Sequence, residues 1–428
     1  MRNRFKYLAL LLIISVMAVG FGVNAQEKIT ITYWTHNHAP SIPVNQEIID
    51  KFMAENPDIE IVFDNAPHSN YEQKLLTAFA GGQGPDIFWA GDWMVPQFIE
   101  NGIVAPVDPT AFGVQTQEEF AALFAPGSLD AFTMDGNIYT AGLSEYNTFS
   151  LIYNTDDFAA AGIEPLSTDV PISWDQLTEI ASKLTQTQDG RITRIGLTWP
   201  FAVSIWTVLI TEPMIRQLGG EIVDPETGEP QFNSEATIAV MNYIQSLQQA
   251  QGIDAAMYTD LLQDFAGGRA SMIFGGPWAA QPLKDINPDL NWAIAPLPQF
   301  DPANRVTTMY AWAWFVNANS SPEKQAAAWR FANALTSNQQ VWWDKVGYVQ
   351  ARLGTADNGM DLTEYRAQSD ERLMVVFNDY PFGKFEFRST AYFEISDILT
   401  RALGRVLSGE DVATVMNEAQ TAANFVLP

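Results

Sequence analysis

Between Lys28 and Ala90 the spacing of apolar residues switches repeatedly, and few fold classes tolerate that pattern. Ile29, Ile31 and Tyr33 alternate with Thr30 and Thr32, the period of a strand. Val44, Ile48 and Phe52 then fall at helical spacing, and Asn56-Pro57 stops the run. Ile59, Ile61 and Phe63 alternate again. Leu75, Leu76 and Phe79 follow on a helix that ends at Gly81-Gly82, and Pro85 to Ala90 form a short apolar strand. Strands alternating with helices imply an α/β fold, a mostly parallel sheet flanked by helices.

The alternation resumes beyond Leu151. Ser173-Trp174-Asp175-Gln176 reads as a capping box, Ile192 to Leu197 as a strand, and Asp224 to Gly228 as a turn between short strands. Asn233-Ser234 opens a helix, Asp260 to Phe265 is helical, and Gly267-Gly268 leads into a strand from Ala270 to Phe274. Ser321-Pro322 starts another helix, and the last hundred residues read mainly as helix. A chain of 428 residues exceeds what one core usually organises, so two units are expected.

Arg2, Arg4 and Lys6 precede an apolar stretch from Tyr7 to Val19, and Val23-Asn24-Ala25 offers a cleavage site. That stretch is about 13 residues, short of the roughly 20 needed to span a bilayer. Residues 1–25 are therefore expected to be a cleaved export signal, leaving a soluble protein without membrane insertion. The chain has no cysteine, which removes thiol catalysis, cysteine zinc sites and disulfides, and also a lipid-modified anchor. A periplasmic address, not as a lipoprotein, follows as an expectation. The net charge of −27 becomes −30 once the three leader cations are gone, and such a field repels nucleic acid.

Catalytic motifs are lacking. His36 and His38 could contact a metal, but no third ligand has recognisable spacing, so neither metal nor cofactor is expected. No GxSxG occurs, and Gly81-Gly82-Gln83-Gly84 lacks the Lys-Ser/Thr of a phosphate loop. Asp86, Asp92 and Glu145 could form a carboxylate pair, a signal of little specificity among 50 acids. Binding chemistry is better represented. Aromatic residues cluster at expected strand ends: Tyr33-Trp34 to His38, Trp89 to Trp93, Trp278 after Gly276-Pro277, and Tyr310 with Trp312 and Trp314. Ring faces stack on the C–H faces of sugars, and a few polar groups fix the hydroxyls. At least one of Trp312 and Trp314 is expected to be core.

Ile29 to Trp34, Gly84-Pro85-Asp86-Ile87-Phe88-Trp89-Ala90 with Asp92, and Ser150-Leu-Ile-Tyr-Asn154 carry a family resemblance. So do Phe265-Ala-Gly-Gly-Arg269, Gly276-Pro277-Trp278, Ala295-Pro-Leu-Pro298 and Ser321-Pro-Glu-Lys. In this order they resemble the extracellular solute-binding proteins of ABC importers, in the carbohydrate-binding group that includes maltose-binding protein. The resemblance implies the two-lobed periplasmic-binding-protein fold with three crossovers, near residues 143–150, 292–296 and 346–352. An N-terminal lobe would combine 26–143 with 296–346, and a C-terminal lobe 150–292 with 352–428. It further implies a monomer, not an enzyme, that closes on a carbohydrate and delivers it to membrane permease subunits.

Carried over position by position, the resemblance places Trp34, Trp89 and Asp92 on the first wall and Trp278 on the second. Asn147 falls at a crossover, Trp199 and Trp206 in an aromatic region, and Arg352 in a segment near the third crossover. The residue patterns add His36, His38, Asp86, Trp93, Glu145, Tyr310 and Trp312 as candidate ligand contacts. His38 and Ala39 stand where maltose-binding protein has an acid and a lysine, and Trp93 where it has an arginine. A sugar other than maltose is therefore expected. A polyamine held by Asp86, Asp92 and Glu145 is the alternative, and a secreted glycosidase a more distant one.

Overall fold

The computed structural model describes residues 28–201, 203–253 and 260–427, so the leader and its cleavage site lie outside the described residues. The opening pattern yields β1 (Ile29–Asn37), α1 (Ser41–Glu55), β2 (Ile59–Pro67), α2 (His68–Ala80) and β3 (Ile87–Gly91). β1 pairs in parallel with β2, Tyr33 lying opposite Phe63, and also with β3, Tyr33 lying opposite Ile87. Ile31 and Tyr33 are buried, as their alternation requires. The strand outlasts its apolar pattern, however. Pairing with β2 continues through His36 opposite Ala66 to Asn37 opposite Pro67. That extension carries both polar residues past the core.

The chain then passes between two sheets. β4 (Leu143–Thr148) belongs to the first and β5 (Ser150–Asn154) to the second, with Phe149 alone between them. The second sheet is completed by β6 (Gln186–Gln188), β7 (Arg191–Thr198), β8 (Ala270–Gly275) and β9 (Trp292–Pro296), in the order β9-β5-β8-β7-β6. The chain returns as β10 (Thr307–Val316), whose ten residues are all buried. β10 runs antiparallel to β3 on one edge and to β4 on the other. A short β11 (Gly383–Phe385) closes the first sheet by pairing with Thr307–Met309. Both sheets are thus more mixed than helix–strand alternation suggests, because the strands entering from the other sheet run antiparallel to their neighbours. β8 and β7 are the parallel pair of the second sheet.

Caps end the helices where local chemistry calls for it. Ser173 and Gln176 form the reciprocal capping box, and Ser321 caps the helix Pro322–Ser337 with Pro at its first turn. α3 (Ser204–Gln217) packs against β10 and presents its first turn to the gap between the sheets.

Candidate functional site

Between the two sheets lies a cavity of about 250 Å³. The first sheet supplies His36, Asn37, Glu145, Tyr310 and Trp312, with Trp93 from the turn after β3 and His68 from the start of α2. The second side supplies Trp278 after β8 and Ile205, Trp206 and Leu209 from α3. Phe149 lies where the chain passes between the two, and Tyr348 follows the helix Gln339–Val346.

Two glycines make this packing possible. A Cβ on Gly91 would lie 2.2 Å from the Trp93 ring, so only glycine lets that indole fold back to meet Trp312 edge-on at 5.1 Å. A Cβ on Gly276 would lie 2.7 Å from the Tyr310 hydroxyl and 3.2 Å from the Trp278 ring. Its absence allows the first sheet's tyrosine and the second sheet's tryptophan to approach. Behind the lining, Trp89 stacks on His36 at 4.4 Å and donates its indole N–H to Ser144, while Tyr71 donates to the Trp89 carbonyl.

The polar groups facing this space are neutral or nearly so. Burial drives His36 well below its ordinary value and His38 down to about 4, and lowers His68 as well. Burial pushes the Glu145 carboxyl up to about 8, so it holds a proton at neutral pH and can both donate and accept. Asn147 donates to Glu145 Oε2 at 3.2 Å, and Tyr348 shares a hydrogen bond with His38 Nδ1 at 2.9 Å. Among the described residues, His36 Nδ1 and His38 Nε2 are buried without a partner, and the Tyr310 hydroxyl lacks a hydrogen bond of good geometry. Buried polar groups are normally satisfied, so these atoms leave hydrogen-bonding capacity open at the cavity.

Of the residues singled out from sequence, His36, His38, Trp93, Glu145, Trp206, Trp278, Tyr310 and Trp312 line the cavity. The others serve elsewhere. Trp34 turns away and is capped by the Lys74 ammonium 4.2 Å from its centroid. Asp86 anchors β1 through the Thr32 N–H at 2.8 Å and binds Lys324 at 3.0 Å. Asp92, fully buried, accepts from Ala311 N and pairs with Arg388 at 3.3 Å. Asn147 supports Glu145 from behind. Trp199 packs on Phe201 and Phe274 in the second unit's core. Arg352 binds Asn333 and Thr336 and lies over Phe112. Trp314 is core, donating to the Tyr33 hydroxyl. Sequence reasoning missed Asn37, His68, Phe149, Ile205, Leu209 and Tyr348. His68 directly follows β2, and α/β sheets bind ligands beyond the carboxyl ends of their strands, a signal that could have found it. Ile205 and Leu209 resemble any buried helix face.

Among the described residues no group of His, Cys, Asp and Glu could hold a metal ion, and no helix is long and apolar enough to cross a membrane. A family profile described as bacterial extracellular solute-binding protein matches residues 41–342. A maltotriose-binding protein of Pyrococcus abyssi is 27% identical over 315 residues, 73% of this chain, and the match spans 63% of that relative, less than two thirds of its length. Among solved structures, the maltose-bound MalE3 of T. maritima superimposes with a TM-score of 0.78 at 22% identity, over 93% of this chain and 100% of that one. A solute-binding protein of Thermotoga lettingae bound with α-D-tagatose gives 0.79 at 23%, over 94% and 100%. The two sheets with a cleft between them are thus the two-lobed periplasmic-binding-protein fold, and the chain belongs to the bacterial extracellular solute-binding proteins.

Proposed function

We propose that this protein captures an uncharged carbohydrate in the cavity between its sheets and delivers it to an ABC importer from the periplasm. One observation carries the reading: aromatic rings from both sheets face a space where several buried polar atoms, His36 Nδ1, His38 Nε2 and the Tyr310 hydroxyl, lack partners among the described residues and whose titratable groups are largely neutral. Such a surface stacks on sugar rings and bonds hydroxyls. The lobes we propose are 26–143 with 296–346, and 150–292 with 352–428, closing as a hinge around the ligand. β11 qualifies the second of these, since it pairs with the first sheet.

The polyamine reading loses support, since Asp86 and Asp92 are bound within the fold and Glu145 is the carboxylate that lines the cavity. A glycosidase would need two carboxyl groups flanking the bond, and the lining supplies one. A thermal-shift screen over sugars, polyamines and amino acids tests the proposal, since a ligand that binds the folded state raises its melting temperature. A sugar should raise it. A shift given only by polyamines or amino acids would overturn the reading, as would release of reducing ends from bound oligosaccharide.

A further inference from the structure

A second polar pocket lies away from the aromatic cavity. Arg366, on the helix Leu362–Ser369, has 3% of its surface exposed, and Gln350, just past Gly347, has 2%. With Tyr146, Val349 and Tyr380 they line a space of about 50 Å³. Arg366 Nη1 donates to the Gln350 main-chain carbonyl at 3.2 Å. Among the described residues its Nε and Nη2, both buried, have no acceptor, and neither side-chain amide atom of Gln350 has a partner. Tyr380 has already committed its hydroxyl to the Tyr146 carbonyl at 2.9 Å. Asp361 also borders the pocket, but it is exposed and its Oδ1 caps its own helix at Thr363 N and Glu364 N.

A buried guanidinium is costly unless something accepts its hydrogen bonds and balances its charge. Burial pulls Arg366 down to about 10 despite the opposing pull of Tyr380 and Asp361, the sign of a cation incompletely compensated by its surroundings. Arg366 Nε and Nη2 and Gln350 Nε2 are three buried donors on one small space and call for an acceptor that also balances the charge, and among the described residues Gln350 Oε1 is the one buried side-chain acceptor left unpartnered beside them. A water occupies roughly 30 Å³ of liquid, so the space suits a single small ion better than a polyatomic one. We propose that Arg366 and Gln350 form a binding site for a small monovalent anion of chloride size. The anion would tie the segment after Gly347 to β4, since Tyr146 N donates to Val349 O at 2.8 Å beside the pocket. β4 leads through Phe149 into the second sheet, so the site sits at the junction of the two units.

The full chain is melted while chloride is exchanged for gluconate at constant ionic strength, which separates a specific ion from screening. Raising chloride from about 5 mM to about 500 mM should lift the melting temperature by about 2–4 °C. Arg366→Gln should flatten that response. Gln350→Met, which keeps the cation, should move the chloride midpoint to higher concentration. Crystals grown with bromide should show an anomalous peak beside Arg366 Nε and Nη2. Equal responses in the wild type and Arg366→Gln would overturn the proposal. So would bromide crystals without anomalous density there, which would leave water as the occupant. If Arg366→Gln fails to fold, Gln350→Met and the bromide crystals decide.

Discussion

On the first sheet His36, Trp89, Trp93 and Trp312 interlock at ring separations from 4.4 to 5.1 Å, whereas on the second side Trp206 meets Phe149 at 5.4 Å and Trp278 at 6.0 Å. The first set is mostly buried, and Trp206 and Trp278 are only half-buried. Rings held by one another on a strand are already in place before a ligand arrives, which lowers the ordering cost of binding. The looser pair gives up less if displaced and gains more from being covered. On the proposed function, one wall therefore contributes to folding and binding together, and the other mainly to binding.

Removing an interlocked ring should cost most. Trp312→Ala should destabilise the fold by about 3–5 kcal/mol in urea unfolding and abolish any ligand-induced shift. A loss below about 1 kcal/mol would break the distinction between the walls. Next comes the acid of the rigid wall. Glu145 is raised from an ordinary 4.5 to about 8, so between those values the folded protein keeps a proton that the unfolded chain has released. Its contribution is complete below pH 4.5 and is lost as pH rises to about 8. Glu145→Gln should therefore gain on the wild type over that window, by on the order of a few kcal/mol. Urea unfolding at both ends of the window checks it, and a pH-independent difference would refute the assignment.

Trp278→Ala tests the looser wall. It should weaken sugar binding at least about 10-fold in calorimetry while costing the fold about 1 kcal/mol or less. A sugar-induced melting shift that survives the change would place the site elsewhere. The smallest effect belongs outside the cavity. Lys74→Ala removes an exposed ion pair with Asp64 and the cap over Trp34, and should change stability by about 0.5 kcal/mol without altering sugar affinity. A clear affinity change would return Trp34 to the site.

The secondary structure was legible from short-range chemistry. Alternation at Ile29 to Tyr33, helical spacing at Val44 to Phe52 and caps at Ser173, Ser234 and Ser321 involve residues within a turn or two of each other. α3, with Pro213 inside it, and the strand extension to Asn37 were less so, because packing on β10 and pairing with β2 override local preference. Among candidate site residues, strand-end tryptophans were easy to find and hard to rank.

The sequence by itself determined the α/β elements, the scarcity of catalytic groups and the stock of aromatic residues, because these follow from residue identity and near-neighbour spacing. The tertiary structure alone decided which of them meet. Asp86, Asp92 and Glu145 are alike in sequence, yet Lys324 holds the first and Arg388 the second, and among the described residues Glu145 faces the cavity without a cation. Those partners lie hundreds of residues along the chain, and a side chain's charge and burial are set by what surrounds it in space.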